Sequence, residues 1–81
     1  MAHIVFKNHP ADIIEGIPSQ QKISIGKYKL KLLRQPKLIR GLHFMLQVEL
    51  PSERNALPDL YRELSNLIIA GDVIKFELTD L

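Results

Sequence analysis

At 81 residues, 46% of them hydrophobic and 25% charged, the chain has enough apolar content for one small core and too much for a disordered segment. It contains no cysteine, which excludes disulfide staples and thiolate chemistry. No apolar run reaches the ~18–20 residues that cross a bilayer, and no signal-type stretch opens the sequence. One domain over residues 1–81, cytoplasmic and without a membrane partner, is therefore expected.

The net charge of +2 hides an uneven distribution. Residues 16–48 carry Lys22, Lys27, Lys29, Lys31, Arg34, Lys37 and Arg40 and no acid, whereas residues 49–81 carry three bases and seven acids. Such a split predicts either an acidic partner for the middle segment or pairing between the two halves.

In chain order, residues 3–7 read as a short strand, and Asn8-His9-Pro10 as a turn. Residues 11–17 have room for a turn or two of helix before Gly16 and Pro18 stop it. Residues 22–33 read as a strand, residues 34–37 as a loop around Pro36, and residues 42–50 as the clearest strand. Asn55 is placed to cap a helix, with Pro58 in its first turn and Gly71 at its end. Leu57, Leu60, Tyr61, Leu64, Leu67 and Ile68 recur at helical spacing and predict one apolar stripe. Residues 73–80 read as the last strand.

Alternation within the strands separates a greasy set from a wet one. The greasy set is Ile4 and Phe6; Tyr28, Leu30 and Leu32; Leu42, Phe44, Leu46, Val48 and Leu50; Ile74, Phe76 and Leu78. The wet set includes the lysines at 27, 29 and 31 but also Val5, Met45 and Val73. This pattern predicts an α+β domain: a four-stranded, mainly antiparallel sheet with one main helix on one face. The element order gives a ferredoxin-like βαββαβ pattern with a stunted first helix, which leaves part of the buried face in need of cover. The alternative is a ββ-meander plus a βαβ unit with a single helix.

In "KISIGKYKLKLL" (22–33) the apolar positions change phase, from Ile23 and Ile25 to Tyr28, Leu30 and Leu32. An extra residue at Gly26-Lys27, as a bulge or sharp bend, would return both sets to one core.

Chemistry is sparse. No serine sits in a nucleophile context, and the acids are scattered over predicted wet positions. His3, His9 and His43 show no local ligand spacing. The glycines at 16, 26, 41 and 71 form no phosphate-binding loop. No enzyme activity, metal or cofactor is expected. The expected function is a small protein-interaction, regulatory or assembly module that self-associates. The alternative is a weakly sequence-specific nucleic-acid binder using the basic hairpin 22–40. In either case Lys27, Lys29, Lys31, Arg34, Lys37 and Arg40 are the candidate contacts to a protein partner or to nucleic acid. Aromatic residues on the wet face, which single-strand binding uses, are missing from the pattern. Residues 67–77, "LIIAGDVIKFE", resemble the helix-to-strand close of small phycobilisome linker domains, and that resemblance implies an assembly role.

Overall fold

The computed structural model describes residues 1–79. Asp80, the last residue of the expected strand 73–80, lies outside the described residues. The strands are β1 (Ala2–Phe6), β2 (Ile14–Glu15), β3 (Lys22–Ile25), β4 (Tyr28–Ile39), β5 (His43–Val48) and β6 (Val73–Leu78), with helix α1 (Ala56–Ala70) between the last two. They form one antiparallel sheet in the order β2-β3-β4-β5-β1-β6, on which α1 packs.

The α+β class and the main helix are as the sequence pattern predicts, but the four-stranded ferredoxin-like sheet is corrected to six strands. Residues 11–17 form no stunted helix. They give the 3₁₀ turn Ala11–Ile13 and then β2, and a second 3₁₀ turn, Pro18–Gln20, follows. The expected strand 22–33 is a hairpin. Ile25 lies opposite Tyr28 and Ile23 opposite Leu30, so Gly26-Lys27 is a two-residue turn. Gly26 sits at φ +59°, and Lys27 has an ordinary negative φ. Glycine first and positive is the arrangement of a type II′ turn, which matches strand twist. The phase change therefore reports a chain reversal. Ile23, Ile25, Leu30 and Leu32 all reach the core.

The loop expected at 34–37 is strand. Register shifts between Leu32 and Arg34, and between Arg34 and Lys37, put extra residues into β4 against β5. Pro36 fits there because its missing N–H falls in an irregular stretch that β3 no longer pairs. The reversal comes later, where Leu42 N–H donates to the Ile39 carbonyl at 3.1 Å and Arg40 takes φ +53°.

Ile4, Phe6, Leu46, Val48, Leu60 and Leu64 pack with the hairpin residues to form the core. Helix α1 ends as predicted. Gly71, at φ +88°, donates to the Ile68 carbonyl, and Asp72 to that of Leu67, both at 3.0 Å, a Schellman closure. Asn55 makes no side-chain cap.

Three expected core assignments change. Leu42, expected on the greasy face of the strand 42–50, falls in the turn before β5 and is 70% exposed. A bulge opposite Val5 and Phe6 reverses the start of β6, so Val73 is 2% exposed and Ile74 is 44% exposed. Only part of the helical stripe is covered: Leu60 and Leu64 are buried, while Tyr61 is 58% exposed. At the position of the missing first helix, a cleft of about 300 Å³ opens beside Phe6, Ile13 and Leu67.

Candidate interaction surfaces

The structure disperses the six candidate cations. Lys27 and Lys29 have partners within the chain. At the hairpin tip Lys27 Nζ lies 2.9 Å from Asp59 Oδ2, and the Tyr28 hydroxyl donates to the same oxygen at 2.7 Å. Arg62 pairs with the other carboxylate oxygen. Lys29 Nζ reaches Glu15 Oε1 at 2.9 Å. The two charged halves of the sequence thus meet in part inside the molecule.

These contacts shift the titrations. Hydrogen bonds from Lys27 and Tyr28 hold the Asp59 carboxyl at about 2, against an ordinary 3.8. Lys27 is raised, chiefly by its bond to Asp59, and so is Tyr28. Glu15 is lowered, first by its bond to Lys29. The Asp59 clamp therefore stabilises the fold fully above the ordinary carboxylate range. It loses that contribution as the pH falls from roughly 4 towards 2, because a lowered folded-state pKa favours the charged form. Tyr28 acts at the opposite end: its contribution is present below pH 10 and is lost as the pH rises through its raised pKa. A carboxyl-carbon NMR titration is expected to place the Asp59 midpoint near 2 and to move it up in Tyr28→Phe. A wild-type midpoint near 4 would contradict the clamp.

Lys31, Arg34, Lys37 and Arg40 make no ion pair among the described residues. Lys31 lies opposite Lys22, a like-charge pair that weakens β3–β4 pairing slightly. Arg34 lies opposite Gln47, and Lys37 opposite Met45. On the far side of β5, Met45 is opposite Val5, which is opposite Lys75, while His3 lies between Gln47 and Glu77. Directly opposed residues share a face. The open face therefore has an apolar centre, Val5 and Met45, between Arg34 and Lys37 on one flank and Lys75 and Glu77 on the other. Val5 is only 5% exposed although it lies on the side away from α1, and a cleft of about 300 Å³ runs past it. The expected third apolar member, Val73, points into the core instead.

Phe6, Phe44, Phe76 and Tyr28 pack on the helix side, so they give the open face no stacking platform. The histidines are dispersed too: His3 Nε2 bonds Gln47 Nε2 at 2.8 Å, His9 sits edge-on to Phe44 at 5.1 Å, and His43 Nδ1 is buried with no partner among the described residues. Among the described residues, no three His, Asp or Glu side chains are grouped to hold a metal ion, and no helix is long and apolar enough to cross a membrane.

Sequence reading missed a second surface. Tyr61, Ile68, Ile69 and Ile74 are all exposed on α1 and β6, with Ile69 at 84%. Tyr61 packs edge-on against Phe76 at 5.0 Å. This group borders β6, whose outer edge pairs with no strand among the described residues. The available signal was the second helical spacing of Tyr61, Ser65, Ile68 and Ile69 beyond the Leu60–Leu64 line. Compared with protein-family models, with curated proteins and with solved structures, the chain matches none, and the likeness of residues 67–77 to linker domains has no counterpart there.

Proposed function

We propose that the protein is a small, non-enzymatic interaction or assembly module that self-associates. The observation that carries this reading is the exposed apolar group Tyr61, Ile68, Ile69 and Ile74 beside the open edge of β6. Single exposed apolar residues need no explanation, but four of them on the helix and the strand at an open sheet edge favour a covering partner. Sedimentation equilibrium tests it: a concentration-dependent dimer is expected in the micromolar range, and a strict monomer to ~1 mM contradicts it, because that limit corresponds to negligible affinity.

A second reading rests on Lys31, Arg34, Lys37 and Arg40, the cations of β4 and its turn that make no ion pair among the described residues. They are suited to a polyanion, nucleic acid or acidic protein, through charge alone. Lys27 and Lys29, the other two candidate contacts, are exposed but already ion-paired with Asp59 and Glu15, so a polyanion would have to compete for them. Four phosphate contacts predict a log–log salt slope for duplex DNA no steeper than about −3.6. Absence of binding at ~50 mM salt, where such a mode is strong, rules it out.

A further inference from the structure

We propose that two copies of the chain join through the outer edges of β6, antiparallel about a twofold axis at Phe76, so that Lys75 of each copy faces Glu77 of the other. This rests on the self-association proposed above and assigns it a surface and a register.

The backbone supplies the first constraint. The terminal amino group of Met1 donates to the Thr79 carbonyl at 2.8 Å, and Thr79 N–H donates to the Met1 carbonyl at 2.9 Å. That double exchange makes Met1 and Thr79 a hydrogen-bonded pair. In an antiparallel ladder bonded and non-bonded pairs alternate. Glu77 opposite His3 and Lys75 opposite Val5 are therefore bonded to β1 as well. Phe76 and Leu78 are the intervening residues, so their N–H and C=O groups point outward at the free edge.

A second β6 satisfies these groups only if outward residues meet outward residues, which places a twofold axis on a residue rather than between two. Central choices are Lys75, Phe76 and Glu77. An axis on Lys75 sets lysine against lysine, and one on Glu77 sets glutamate against glutamate. An axis on Phe76 opposes Lys75 and Glu77 twice and places Ile74 opposite Leu78. Only this register is charge-complementary, and an isologous interface repeats each favourable pair. It also puts the Tyr61–Phe76 pair of each copy beside that of the other, covering part of the exposed apolar group.

The other edges are unsuited to this pairing. β2 is two residues long. The stretch of β4 beyond β3 carries Pro36, bulges and cations, which protect an edge. β6 has neither proline nor excess charge.

The test uses the full chain. Lys75→Glu and Glu77→Lys are each expected to weaken the dimer about tenfold or more, since two attractive cross-strand pairs become repulsive. The double variant K75E/E77K restores pairing with the signs exchanged, and circular dichroism checks that each variant is folded. A dimer that E77K leaves unchanged, or that the double variant fails to restore, overturns this register while self-association stands. A wild-type chain that stays monomeric overturns both.

Discussion

Truncating Leu64 to alanine is expected to lower the unfolding free energy by about 3 kcal/mol, because a fully buried leucine loses both transfer energy and the packing its cavity forfeits. Leu64 is 0% exposed, in the line of α1 that packs into the core with Leu60. Ile23 and Ile25 from the hairpin and Ile4 and Leu46 from the central strands belong to the same cluster. The site is bounded by β-strands, so it cannot collapse easily around the missing atoms. A domain of this size has a total stability of roughly 4–12 kcal/mol, so the loss is a large fraction of it. Urea unfolding followed by circular dichroism measures the effect. Ile69→Ala, on the exposed side of the same helix, should change stability by no more than about 0.5 kcal/mol. Equal effects from the two truncations would contradict the assignment of the helix's buried line.

The second large effect is at the hairpin turn. Gly26→Val is expected to cost about 2 kcal/mol, because a β-branched residue is placed at φ +59°. The new side chain also meets another group, since its Cβ would overlap the Glu63 carboxylate, which lies over Gly26. Adding Glu63→Ala to Gly26→Val should recover the overlap component and leave the backbone component, which separates the two causes. Lys29→Gln removes only an exposed ion pair to Glu15 and should perturb the fold less than Gly26→Val. Thermal melts of the three variants check the order. A Gly26→Val protein as stable as the wild type would contradict the turn.

The parts of the fold that local periodicity controls were legible in the sequence. The Leu60–Leu64 line, the Gly71 stop and the alternation of β1 and β5 all follow from spacing and from glycine chemistry. The hairpin was only half legible. A parity change across Gly26-Lys27 is produced equally by a bulge and by a two-residue reversal, and the flanking residues alternate in the same way in both cases. Pro36 was misleading because proline ends a regular central strand but is accommodated at a bulged edge. The β6 assignment failed for a related reason: a single bulge moves Val73 inward and Ile74 outward, and nothing local to Val73-Ile74 announces it.

The candidate site divides in the same way. A run of cations is a fact of composition, but whether each cation is free depends on tertiary structure. Asp59, which takes up Lys27 and Tyr28, is 31 residues from the latter. The exposed side of α1 was hidden because Tyr61 and Ile68 fit the same apolar stripe as Leu60 and Leu64. Only the strand order shows that β6 is terminal and that no element among the described residues covers them.

Pairing through the β6 edge is tested by amide hydrogen exchange at Phe76 and Leu78, measured as a function of protein concentration. In the monomer both amides face solvent at the edge of β6, whereas Glu77, bonded to β1, is protected throughout. Phe76 and Leu78 are expected to exchange fast in dilute protein and to become protected as concentration rises, while Glu77 is unchanged. Fast exchange at Phe76 and Leu78 at every concentration, in a sample that sediments as a dimer, would contradict pairing through this edge.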